Sequence, residues 1–237
     1  MGRFTGWLTG ALTGGLIVAA GYVAADTRPV VVELFTSQGC SSCPPADAFL
    51  QELSQRDDVI ALALHVDYWD YIGWKDSFAQ PAFTARQKAY AKSGGRRSVY
   101  TPQMIIGGRD HVVGTHEQDA KALIRQHAAV ETGVDLTVDT AAGGKMTLRA
   151  VAQPGVTGPL VIHLVRYDPL RTVDITRGEN QGKTIDYANV VTEWSAIGEW
   201  DLSSPLVLDL PSQGQGPAVV ILQGKNAGPI MAAAHLR

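Results

Sequence analysis

The chain has two cysteines, and two residues separate them: Cys40-Ser41-Ser42-Cys43. Just before them, Val30, Val31, Val32, Glu33, Leu34 and Phe35 form a β-branched and aromatic run, the composition of a buried strand. Just after them, Ala46, Phe49, Leu50 and Leu53 recur at helical spacing, so an amphipathic helix is expected to about Gln55. The pair therefore sits at a strand-to-helix junction, and the rest of the chain must be built around that unit. A chain of 237 residues can bury a sizeable core, and a crosslink closing so short a loop restrains the unfolded chain little. Chemistry explains the pair better than stability does.

Val59 to Val66 reads as a second buried strand, ending in His65-Val66-Asp67. An aromatic loop with Tyr68, Trp69, Tyr71 and Trp74 follows, read as a wall for partner contact, with cover for a core edge as the alternative. A helix is expected from about Asp76 to Lys92, with Pro81 early in it or kinking it, and Gly94-Gly95 ends it. Thr101-Pro102-Gln103 opens a strand at Met104-Ile105-Ile106, and Gly107-Gly108 turns the chain into His111-Val112-Val113 as a hairpin. A closing helix runs from about Glu117 to Val130. Residues 29–131 thus read as one α/β domain.

From Thr132 onward, short runs alternate with turns rich in Gly, Pro and Asn: Val134 to Val138, Met146 to Val151, Leu160 to Val165, Leu206 to Leu210 and Ala218 to Leu222. Residues 132–237 are expected to form a mostly antiparallel, sandwich-like β domain. Arg177-Gly178-Glu179-Asn180 reads as a turn without chemistry.

Residues 1–25 hold Arg3, an apolar run through Leu16, Ile17 and Val18, and small residues at Ala24-Ala25, the order of a secretory signal. If uncleaved, the same run is long enough to act as a membrane anchor. Either way the working chain is expected to be periplasmic or secreted. Lys and Arg read as scattered and the net charge is -3, so nucleic acid is not an expected partner.

In a Cys-x-x-Cys pair one sulfur attacks a partner disulfide and the other resolves the mixed disulfide. A helix N-terminus favours thiolate at the first sulfur, which assigns Cys40 as nucleophile and Cys43 as resolver. Zinc needs two further ligands, and no second cysteine pair exists. His65 and Asp67 read as a hydrogen-bonded structural pair, with a metal or acid-base role as the alternative.

The Cys-x-x-Cys at a strand-to-helix junction, the Thr-Pro pair before a hairpin strand and the Gly-Gly turn leading to Val112-Val113-Gly114 together resemble the thioredoxin-like superfamily, over about Val30 to Val130. The resemblance implies a cis Thr101-Pro102 bond facing the disulfide, with Thr101 offering backbone hydrogen bonds to a docked client. It also implies that Glu33 is a buried acid relaying the proton of the resolving cysteine; an exposed strand carboxylate is the alternative. Gly39 departs from the Trp common in thioredoxins, and Pro44-Pro45 places Cys43 at a helix cap. Glu33 to Cys40, Cys43-Pro44-Pro45 and Tyr100 to Gln103 further resemble a family of bacterial secreted proteins of unassigned function that joins such a unit to a β-rich part.

The expected function is disulfide exchange with exported client proteins, using a redox partner protein and no cofactor. The alternative is a binding module on the same scaffold, for a ligand or copper, with a structural disulfide.

Overall fold

The computed structural model describes residues 1–2, 28–141, 144–210 and 216–236. The signal or anchor expected over 1–25 lies outside the described residues, apart from the first two. No described helix is long and apolar enough to cross a membrane.

Strand β1 (Val30–Thr36) lies parallel to β2 (Val59–His65), paired from Val30 opposite Val59 to Thr36 opposite His65. Both are buried on both faces, as their unbroken apolar runs require. Helix α1 (Pro44–Leu53) crosses between them, with Pro44 at its first position, where a missing N–H costs nothing. Helix α2 (Pro81–Ser93) starts at Pro81 rather than at Asp76. Proline is tolerated in a first turn but not inside a helix, and the Asp76 side chain is engaged instead by the amides of Gln38 and Phe78. Strand β3 (Gln103–Ile106) runs antiparallel to β1, and β4 (Asp110–Val113) returns beside it. The turn between them needs positive φ at two successive residues, which Gly107 (58°) and Gly108 (70°) supply. Helix α3 (Glu117–Ala128) completes this half.

The alternation of strand side chains decides what each face buries. Val30, Val32 and Leu34 of β1 and Val59, Ala61 and Ala63 of β2 pack against α1 and α3. Val31, Phe35, Ile60, Leu62 and Leu64 face the other way, into a second core.

The second half is strand-rich: β5 (Val134–Thr140), β6 (Met146–Ala152), β7 (Leu160–Asp174), β8 (Thr184–Trp200), β9 (Leu206–Asp209), β10 (Ala218–Gly224) and β11 (Ile230–Leu236). β5, β6 and β9 form a three-stranded sheet. The other four extend the sheet of the first half, so the described residues build one eight-stranded mixed sheet in the order β11-β10-β7-β8-β2-β1-β3-β4. The junction is a parallel contact between Ala63 of β2 and Val190 of β8. That sheet runs across position 132. β8 and β11 carry no clean sequence signal: β8 mixes Gly, Asn and Glu into its length, and β11 is an alanine run.

The sheet also curls, as accumulated strand twist allows. The second core joins Val31, Phe35 and Leu64 to Val165, Val219 and Ile221 of β7 and β10. At the far end Ile230 N–H donates to the Gly107 carbonyl, at 2.9 Å. The three-stranded sheet closes a third core over β7 and β10. The whole is a mixed α/β, strand-rich protein.

Candidate functional site

Cys40 and Cys43 form a disulfide, with Cα atoms 5.4 Å apart. Cys43 is the N-cap of α1 and fully buried, and Cys40 keeps 2 % exposure. The intervening Ser41 and Ser42 are exposed. Because Pro44 and Pro45 have no N–H, the helix start offers its dipole but no amides at its first two positions. The amides of Ala46 and Asp47 are already spent on the Cys43 carbonyl. What α1 presents at the cysteine loop is therefore its dipole rather than free amide donors.

The Cys40 loop is held from several elements. Gln38 N–H donates to Asp76 (2.8 Å), and Trp74 Nε1 donates to the Gln38 side chain (2.8 Å). From the β7–β8 connection, Asn180 Nδ2 donates to the carbonyls of Gln38 and Cys40, each at 2.9 Å, and Glu179 accepts from Ser41 N–H at 3.3 Å. The turn that sequence reading left without chemistry therefore lies over the cysteine loop. No local pattern announces a contact spanning about 140 residues. Gly39 is small because the 69–72 turn fills the space beside it: a Cβ there would lie 3.3 Å from Ile72 and 3.4 Å from Trp69.

The Thr101–Pro102 bond is cis. Trp69, whose backbone lies against Gly39, donates from Nε1 to Thr101 Oγ1 at 2.7 Å. Gly114 is packed so tightly between Pro102, Ala46 and Leu34 that a Cβ would come within 2.9 Å of the first two. These contacts seat the Thr101–Pro102 loop beside the first turn of α1. Of the aromatic loop, Trp69, Trp74 and Tyr68 hydrogen-bond to protein groups and brace the site, while Tyr71 is exposed.

Glu33 is buried, on the sheet face opposite α1. It takes a two-point ion pair from Arg86 (2.6 and 3.0 Å) and a hydrogen bond from Tyr90 (2.5 Å). Arg86 in turn reaches Gln223 of β10 and stacks 3.6 Å over the Trp194 ring. The network ties β1, α2 and β10 together and does not approach the helix that carries Cys43.

A different acid occupies that helix. Asp47, four residues after Cys43 and on the same side of α1, is buried and accepts from Thr36 Oγ1 at 2.7 Å. Thr36 and His65 are register partners at the ends of β1 and β2, on the face toward α1. His65 pairs through Nδ1 with Asp76 at 2.7 Å, not with Asp67, which instead accepts from Thr84. Burial pushes the Asp47 carboxyl up to about 7, although His65 and the Thr36 hydroxyl pull the other way. Asp76 ends below the usual range, because His65 and the two backbone amides outweigh its burial. Among the described residues, Asp47 Oδ2, His65 Nε2 and the Tyr187 hydroxyl have no hydrogen-bond partner. The Tyr187 ring stands 4.9 Å from that of His65, and burial followed by the two aspartates raises its hydroxyl far above the ordinary value. The sequence signal for Asp47 was its spacing of four from Cys43.

No group of three or more His, Cys, Asp or Glu among the described residues is arranged to hold a metal ion. Fold and site together define a mixed α/β protein with a buried Cys-x-x-Cys disulfide at a helix cap. Over residues 31–223 the chain matches a family described as "Protein of unknown function (DUF1223)", and it belongs to that family. A crystal structure of an Agrobacterium tumefaciens protein is 35% identical with a TM-score of 0.77, covering 90% of this chain and 96% of that one. HBP35 of Porphyromonas gingivalis shares the fold at 12% identity and a TM-score of 0.57, over 88% of this chain and 74% of that one. No curated protein matches the chain.

Proposed function

We propose that the protein is a thiol-disulfide oxidoreductase of exported proteins, working from a thioredoxin-like unit over residues 29–131. The observation that carries this reading is the Cys40–Cys43 disulfide at the cap of α1, with Thr101–Pro102 on one side and the buried Asp47 on the other. A disulfide in the chain supports an oxidising compartment, in keeping with the signal-like residues 1–25.

In the reducing direction, Cys40 thiolate attacks a client disulfide, forming a Cys40–client bond and releasing one client thiolate, which takes a proton from water. Cys43 then loses its proton to Asp47, buried four residues further along α1, and attacks Cys40 Sγ. The second client thiolate leaves, two electrons have passed to the client, and Cys40–Cys43 is again a disulfide. A redox partner protein restores the dithiol, and oxidation of a client is the same sequence reversed.

Trapping tests the assignment. Cys43→Ala should accumulate mixed disulfides with exported proteins, visible as dithiothreitol-sensitive bands on non-reducing gels, and Cys40→Ala should trap few. Equal trapping by both overturns the roles given to the two sulfurs. A disulfide that resists mild dithiols, with no adducts from either variant, overturns the oxidoreductase reading in favour of a binding module with a structural bond.

A further inference from the structure

Lys and Arg are not evenly scattered: four of them fall within the ten positions 88–97. Lys88 and Lys92 stand one turn apart at the end of α2, and Arg96 and Arg97 follow directly after Gly94-Gly95. With Ser98 they line an open groove of about 450 Å³. All four cations are exposed, and among the described residues none takes part in an ion pair. Like charges four apart on a helix repel, and the chain as a whole carries a net charge of -3. This is therefore a local concentration of uncompensated positive charge. The neighbouring His111 feels it, being held below its ordinary value by burial first and then by Arg96.

The groove adjoins the docking loop: Val99 of its lining is two residues from Thr101, and Gln87, next to Lys88 on α2, donates to the Tyr100 carbonyl at 2.8 Å. Arg96 to Val99 run straight into Tyr100-Thr101-Pro102, and Ser98 can lie no more than about 11 Å along the chain from Thr101. A polypeptide held at Thr101 and continuing along this segment would have its flanking residues over the four cations.

Resting on the oxidoreductase reading, we propose that this groove selects clients: it binds acidic residues flanking the client cysteine that docks at Thr101–Pro102. The substrate class is then an exported polypeptide with an acidic stretch beside its reactive disulfide. Several exposed ion pairs acting together are worth about tenfold in apparent affinity, and salt screens them.

Two disulfide-bearing peptides, identical except that one has three Glu and the other three Gln flanking the cysteines, make the test. Binding is read by fluorescence anisotropy on the Cys40→Ser/Cys43→Ser chain, which needs no redox chemistry. The acidic peptide should bind about tenfold more tightly. The preference should vanish in K92Q/R96Q/R97Q and in high salt, and the same triple change in the intact enzyme should raise KM for the acidic peptide without altering the Cys40–Cys43 reduction potential. Equal affinity for the two peptides overturns the proposal, as does a preference that survives the triple change. Displacement of the acidic peptide by inorganic polyphosphate or an oligonucleotide of equal charge, at equal or lower concentration, overturns it in favour of a general polyanion site. Failure of the intact enzyme to exchange with either peptide overturns the oxidoreductase reading alone.

Discussion

Asp47 and Glu33 show how differently two buried carboxylates can be used. Glu33 meets a guanidinium at two points, and removing one partner of such a buried pair strands a charge at a cost of about 3–5 kcal/mol. Asp47 has a single neutral donor and one oxygen without a partner, so burial favours its protonated form. A carboxyl whose pKa rises from 3.8 to about 7 on folding stabilises the protein fully only below the lower value, and that contribution is lost as pH rises through the upper one. The span corresponds to roughly 4 kcal/mol. Urea denaturation of the oxidised protein should therefore show stability falling between about pH 4 and 7, and Asp47→Asn should flatten that slope. The same variant should slow resolution of the Cys40–client bond by about a hundredfold near neutral pH, with the deficit shrinking at alkaline pH, where Cys43 ionises unaided. A stopped-flow pH profile parallel to that of the parent chain would remove Asp47 from the mechanism.

The β7–β8 connection belongs to the site as much as α1 does. Through Asn180 it satisfies two carbonyls of the cysteine loop, and burial leaves those groups little access to water. Asn180→Ala should lower stability by about 1–3 kcal/mol and speed amide exchange across residues 37–42. Asn180→Asp should be worse, because it sets a carboxylate against two carbonyl oxygens. The expected order of melting temperatures is Asn180, then Ala, then Asp; an Asp variant as stable as the parent would remove the bridging role. The strand, helix and hairpin positions of the first half were legible because their apolar periods and Gly or Pro stops are local. Of the β7–β8 arm only the run Leu160 to Val165 was legible; the rest of β7 and all of β8 were not, because their stability comes from pairing with each other over their whole length.

At the scale of the whole molecule, the first half lacks a sealed core of its own. Its second core is completed by Val165, Val191, Val219 and Ile221, and β2 meets β8 at Ala63 and Val190. A fragment of residues 28–131 would expose that apolar face and an unpaired β2 edge. It should aggregate or unfold without a cooperative transition, whereas the chain from residue 28 to its end should unfold as one unit; sharp, reversible melting of the fragment would show instead that the first half folds alone.

What could be read from residue order alone is what short-range chemistry decides. A β-branched run makes a strand, the Pro44-Pro45 pair starts a helix, Gly107-Gly108 makes a turn, and two cysteines three positions apart close a disulfide. The match to a family over residues 31–223 agrees with the sequence-level resemblance to an uncharacterised family. What folding added is the company each group keeps. Period-two alternation turned Glu33 away from α1 and turned Thr36 and His65 toward it, so the acid beneath the cysteines is Asp47. Strand order, which sets β8 beside β2, and the core shared by α2 and β10 brought Asn180 to Cys40 and Gln223 to Arg86. Such pairings join residues up to about 140 positions apart, and local propensity holds no record of them.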